Sequence, residues 1–216
     1  MKLTHPLKVV VSGITSTVVS IAFIAGTGIF KAQAANLVVN GKFTADSLLN
    51  PNDSTRNNPF ITGWFNSTQN ESLYTNFLDN YTVDDADQSS LSVRLAAYRP
   101  DFTYISQNLN TVIGQKYKLS YYLANSDEDQ NNTFRTYVGG NLLAEQVNLP
   151  LQDFQKYEYD FVATSNFTEL KFSSYQFYAW YNLDNVNVTP VPEPSMIAGI
   201  GVLVLIPILR KRKQTA

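Results

Sequence analysis

The sequence predicts an all-β domain, a β-sandwich of jelly-roll type, flanked by an N-terminal signal helix and a C-terminal transmembrane helix. Three observations predict the domain. Short runs of apolar/polar alternation recur from residue 36 to residue 189, with no convincing helical period among them. Polar and glycine-bearing turns separate these runs at short intervals. The aromatic residues are 13 Tyr and 13 Phe against only 2 Met, which suits pleated, half-buried surfaces.

Taken in order, strands are expected near Leu37, Trp64, Tyr74 and Tyr104, with Trp64 in the core after Gly63. Leu91, Val93 and Leu95 alternate with Ser92 and Arg94. Tyr117, Leu119, Tyr121 and Leu123 point one way, with Lys118 and Ser120 between them. Gly139-Gly140-Asn141 reads as a hairpin turn between strands over 134–138 and 142–147. Tyr157, Tyr159 and Phe161 alternate with Glu158 and Asp160, and Leu170 and Phe172 flank Lys171. The last strand falls over 183–188, and polar loops over 50–59, 84–90 and 127–132. Nine or ten short strands without an internal repeat imply two packed sheets.

Charge is distributed unevenly. Lys2, Lys8, Lys31 and the basic residues at 210–213 lie at the two ends. Between residues 35 and 190, nine Lys and Arg face 17 Asp and Glu, leaving a domain near −8. Such a domain repels polyanions at long range, so nucleic acid is not an expected partner. The chain has no cysteine, which excludes thiol catalysis, Cys-zinc sites and iron–sulfur clusters. Its one histidine is His5.

The ends read as addresses. Residues 1–34 have the form of a signal peptide: Lys2 and Lys8, an apolar stretch over 9–30, then Ala32-Gln33-Ala34 as a small-x-small cleavage site. Cleavage is expected between Ala34 and Ala35; the alternative is an uncleaved membrane helix. Loss of the signal also removes His5, leaving no histidine for a Ser-His-Asp triad or a His-zinc site. At the other end, Val191, Pro192, Glu193 and Pro194 precede an uncharged span over 195–209 and the basic cluster Arg210, Lys211, Arg212 and Lys213. That span rises about 22 Å as a helix, short of the ~30 Å hydrocarbon core, and contains Pro207. The basic cluster would hold the cytoplasmic side.

Residues 190–213 resemble the PEP-CTERM sorting signal, with motif, span and basic cluster in order. The resemblance implies processing by an exosortase near the motif. It also implies transient residence in the inner membrane, then delivery to the cell surface or extracellular matrix. The alternative is a plain C-terminal anchor behind a proline-rich linker.

The domain over 35–189 carries a second resemblance. It opens Asn36-Leu37-Val38-Val39-Asn40-Gly41-Lys42-Phe43, with Gly63-Trp64 following. Its middle reads Ile105-Ser106-Gln107-Asn108-Leu109 and Gly114-Gln115-Lys116-Tyr117, and it closes Leu183-Asp184-Asn185-Val186. These segments resemble galactose-binding-like and carbohydrate-binding-module jelly rolls. That resemblance implies a structural Ca²⁺ where the first and last strands meet, with Asp184 and Asn40 at the matching positions. Thr44 stands where the family has Glu, so Asp46 or backbone carbonyls would have to complete six to eight oxygens. The alternative is that Asp184 only caps a turn. No other cofactor is expected.

Two aromatic clusters are candidate sugar sites, because flat rings with polar tips suit carbohydrate. One is Tyr175, Phe177, Tyr178, Trp180 and Tyr181, where Tyr178 and Trp180 are expected to share a face. The other is Tyr98-Arg99-Pro100-Asp101-Phe102. For either, packing into the core is the competing reading. A glycosidase needs only two carboxylates, but no pair sits in a recognisable catalytic setting. The expected function is that of a non-catalytic, exported surface protein associated with extracellular polysaccharide. The alternative is a structural or adhesion protein of the matrix that acts through protein–protein contacts.

Overall fold

The computed structural model describes residues 35–53, 57–82, 91–97, 101–126, 131–176 and 178–192. The expected signal helix and transmembrane helix fall outside them. Among the described residues there are ten strands and no helix. They are β1 (Phe65–Asn66), β2 (Phe77–Asp79), β3 (Ser92–Leu95), β4 (Thr103–Asn110) and β5 (Lys116–Asn125). The second half supplies β6 (Asn132–Val138), β7 (Asn141–Val147), β8 (Gln152–Val162), β9 (Phe167–Gln176) and β10 (Tyr181–Pro190). Two five-stranded sheets result: sheet A in the order β1-β4-β9-β6-β7, and sheet B in the order β2-β3-β10-β5-β8. Every pairing is antiparallel, and most connections cross from one sheet to the other. This is the all-β jelly-roll sandwich expected from the strand pattern.

Alternation decides which face each strand buries. Tyr117, Leu119, Tyr121 and Leu123 all enter the core from β5, as do Val93 and Leu95 from β3. From sheet A come Ile105 and Leu109, Phe134 and Val138, and Leu170 and Phe172. Between the sheets runs a chain of rings: Phe43 to Trp64 at 5.8 Å, Trp64 to Phe172 at 6.1 Å, and Phe172 edge-on to Tyr121 at 5.0 Å. Such pairs add about 0.5–1.5 kcal/mol beyond the area they bury. Tyr121 satisfies its buried hydroxyl against the Thr136 hydroxyl at 2.9 Å, and burial pushes its pKa well above the ordinary tyrosine value.

Gly139 and Gly140 both have positive φ, so a two-residue turn joins Val138 to Asn141 as the glycine pair predicts. The residues near Leu37 and Tyr74 do not form strands. Side chains, together with two isolated backbone bonds to β10, hold the first segment. Asn36 Oδ1 accepts the amides of Val38 (3.0 Å) and Val188 (2.8 Å). Gln107 accepts the Val39 amide at 2.7 Å and donates to the Val39 and Gly63 carbonyls at 3.0 and 2.6 Å. Near Tyr74, Thr68 and Asn66 hold the backbone, and β2 begins only at Phe77. Local side-chain bonds of this kind compete with strand pairing.

Candidate functional site

The alternation that fills the core leaves the opposite positions of sheet A on its outer face. On β4, with Ile105 and Leu109 inward, Tyr104 points out; on β6, with Phe134 and Val138 inward, Arg135 and Tyr137 do. On the central strand β9, Lys171, Ser173 and Tyr175 share that outer face, opposite Leu170 and Phe172. Register then places neighbours. Phe65 of β1 lies opposite Ser106, Ser106 opposite Lys171, and Lys171 opposite Tyr137. One residue pair along, Tyr104 faces Ser173, Ser173 faces Arg135, and Arg135 faces Glu145.

The result is a sheet face of rings with cations set between them. Phe65 and Tyr104 have centroids 5.7 Å apart, and Phe65 is 52 % exposed. The Lys171 ammonium lies 4.8 Å from the Tyr137 centroid and 5.5 Å from that of Tyr104. The Arg135 guanidinium lies 4.3 Å over Phe102, whose ring stands 5.9 Å from Tyr175. Contacts of this type contribute about 0.5–1 kcal/mol when exposed, enough to fix a long side chain in place. Arg135 also donates to Glu145 at 2.6 Å, and that hydrogen bond raises its pKa further. The face therefore offers apolar ring surfaces flanked by hydroxyls and amino groups, the combination that packs against a sugar and bonds its rim.

The structure divides the first sequence cluster. Tyr175 joins the outer face of sheet A, while Tyr181 is fully buried between the sheets. Trp180 immediately precedes β10, its ring 4.0 Å from the guanidinium of Arg94 on β3. Arg94 is in turn paired with Asp79 at 2.9 Å and lies 5.2 Å from the centroid of Phe77. Tyr178 is 87 % exposed and Trp180 half-buried. β9 of sheet A ends at Gln176 and β10 of sheet B begins at Tyr181, so no single strand's alternation runs through the stretch. Phe177, Tyr98 and Arg99 lie outside the described residues. Phe102, the end of the second cluster, packs against Tyr175 of the first. Phe65, Tyr104, Tyr137 and Lys171 were not singled out by sequence; their signal is parity, each standing out of phase with the buried residues around it.

At the junction of first segment and last strand, the expected meeting does occur: Leu37 donates to Val188 and Val186 to Gly41, each at 2.8 Å. The polar groups at this junction bond to the protein itself. Asn40 Oδ1 accepts the Ala45 amide at 3.0 Å, and its amide group donates to the Thr62 carbonyl at 3.0 Å. Both oxygens of Asp46 accept bonds from Thr62, at 2.7 Å each. Asp184 is buried on β10, where its Oδ1 accepts the Asn185 amide at 2.5 Å beside a register shift and a positive φ at Asn185. A bond to the adjacent amide is one that a turn-capping aspartate makes. Among the described residues no group of three or more His, Cys, Asp or Glu is placed to hold a metal.

Of the terminal residues, Ala35, Val191 and Pro192 are described. Val191 donates to the Lys116 carbonyl and accepts from Gln115, each at 2.9 Å, and Pro192 is exposed. Ala34, Glu193, Pro194, Arg210, Lys211, Arg212 and Lys213 lie outside the described residues.

No family model matches the sequence, and no curated protein does. Solved structures do match. TmCBM61 in complex with beta-1,4-galactotriose aligns over 73 % of this chain and 100 % of its own, with a TM-score of 0.50 and 11 % identity. The likeness is one of fold. A Bacteroides thetaiotaomicron protein aligns over the same shares with the same TM-score and identity. The enzymatically active domain of bacteriophage CBA120 tailspike protein 4 aligns over 72 % of this chain at a TM-score of 0.51 and 17 % identity. This chain spans about a fifth (21 %) of the tailspike chain's length.

Proposed function

We propose that this chain is an exported, exosortase-sorted protein of the cell surface or extracellular matrix, and that its sandwich binds extracellular polysaccharide without catalysis. The observation that carries the reading is the outer face of sheet A, where Phe65, Tyr104, Tyr137, Phe102 and Tyr175 present rings around Lys171 and Arg135. A sheet face of this kind accommodates an extended chain lying across several strands, rather than a single sugar in a pocket. The fold likeness to a domain solved with a bound galactotriose supports it. Non-catalytic binding agrees with a chain whose one histidine sits at position 5 and which has no cysteine. Export and sorting rest on the signal-like residues 1–34 and on the motif at 191–194. The motif begins at Val191, directly after β10 and still bonded to Lys116 and Gln115, and its second residue, Pro192, is exposed, which supports access by a processing enzyme.

One observation favours the structural-adhesion reading. The edge strand β7 carries exposed Leu142 and Val147 and a single charged residue, Glu145, so a second protein chain has a strand to pair with. The two readings separate in affinity electrophoresis of the detergent-solubilised full-length protein through gels containing neutral or acidic polysaccharides. Retardation by at least one polymer, with no reducing ends released, is expected. Unchanged mobility in every gel would leave the protein-contact reading.

A further inference from the structure

We propose that the polysaccharide read by this face is acidic, a polymer bearing hexuronate-type carboxylates, and that the Lys171 ammonium is the group that binds the carboxylate. This inference rests on the reading that the face of sheet A binds polysaccharide. The domain is rich in acid, yet Lys171 is given no acid. Among the described residues, Arg94 pairs with Asp79, Lys116 with Asp160, Arg135 with Glu145 and Lys156 with Glu158; no such pair includes Lys171. Lys118 stands near enough to Glu158 and Asp160 to help lower both their pKa values. Lys171 is held instead by the faces of Tyr104 and Tyr137. Glu169 is its neighbour on the same face of β9 and forms no ion pair with it.

Two ring faces fix where the ammonium stands but leave its N–H donors unmatched by charge. A carboxylate supplies that match, in a bond shorter and stronger than a neutral hydroxyl makes. The position is central: Lys171 is on the middle strand, with Tyr104 and Phe65 to one side and Tyr137 to the other. A sugar stacked on the rings beside it would bring an equatorial carboxylate within its reach. The charge of the whole domain, near −8, works against a polyanion at distance. At physiological ionic strength that repulsion is screened beyond about 8 Å, whereas the contact pair is not. The face therefore selects acidic sugars by contact and not by long-range attraction.

The test uses polygalacturonate, the same polymer methyl-esterified, and a neutral galactan, in affinity electrophoresis of the full-length protein with chelator present, so that no cation bridges the acid groups. The free acid is expected to retard the protein at least tenfold more strongly than its ester. Lys171→Met, with an unchanged melting temperature, should abolish that difference, and Lys171→Arg should keep most of it. Lys171→Gln serves as the second neutral variant if the methionine alters folding. Equal retardation by acid and ester, or retardation by galactan alone, overturns the acidic-sugar inference while leaving the binding face intact. No retardation by any polymer overturns both.

Discussion

The ring of Phe102 lies 5.9 Å from that of Tyr175, although the two belong to separate aromatic runs of the sequence. Arg135 of β6 also lies over Phe102, 4.3 Å from its centroid, and is anchored to Glu145 of β7. Phe102 is 36 % exposed, so its truncation removes little from the core. Phe102→Ala is expected to lower stability by no more than about 1 kcal/mol in urea denaturation, the scale of an exposed cation–ring contact. In polysaccharide gels the same variant should migrate measurably faster than wild type. A large loss of stability with unchanged migration would make Phe102 a packing residue only.

Gly41 is the tightest point in the attachment of the first segment to β10. A Cβ there would stand 2.0 Å from the Val186 carbonyl oxygen, which is backbone and has no rotamer to yield. Gly41→Ala is expected to cost about 3 kcal/mol or more, because the segment must separate from β10 and loosen its hold on Val38 and Phe43. Equilibrium denaturation measures this directly; a change below 1 kcal/mol would mean that the segment is not fixed in this position.

Calcium and Asp46 separate cleanly by melting temperature. Asp46 and Asn40 already have partners in Thr62 and Ala45, so chelator is expected to leave the melting curve unchanged. Asp46→Ala, which removes two charge-assisted bonds to Thr62, should lower stability by about 2 kcal/mol. A fall in melting temperature with chelator, reversed by added calcium, would restore the ion implied by the family resemblance.

For the ends of the chain, mass spectrometry of surface-exposed protein is expected to show a mature N-terminus at Ala35 and no peptide from residues 195–216. Replacing Pro192, Glu193 and Pro194 with alanine should retain the tail and hold the protein in the inner membrane. The proline pair keeps this segment extended, and its loss would remove that conformation as well as the motif. Surface protein that still carries Arg210 to Lys213 would reduce the tail to a simple anchor.

Much of the fold was legible because period-two alternation is a local signal. Tyr117 to Leu123 needed only their own spacing, and the Gly139-Gly140 turn only its backbone freedom. The segment near Leu37 is not a strand because it makes only two isolated backbone bonds to β10, its other partners being the side chains of Asn36 and of Gln107, the second far away in sequence. The site was legible in part. The runs ending at Phe102 and containing Tyr175 were marked by composition, but Trp180 and Tyr178 were grouped by an alternation that the break after Gln176 interrupts. Tyr104, Lys171 and Tyr137 were each readable as outward residues. That they meet depends on β9 lying between β4 and β6, and strand order is not carried by any one strand.

The central claim, that the outer face of sheet A binds polysaccharide, is tested most directly by the double variant Tyr104→Ala/Tyr137→Ala. These two rings flank Lys171 and stand outside the core, so the variant is expected to keep its fold, as near-ultraviolet circular dichroism and melting temperature will show. Its affinity for whichever polymer retards the wild type should fall at least tenfold, a loss of about 1.4 kcal/mol. A folded double variant that binds as tightly as wild type would place the binding surface elsewhere and contradict the account.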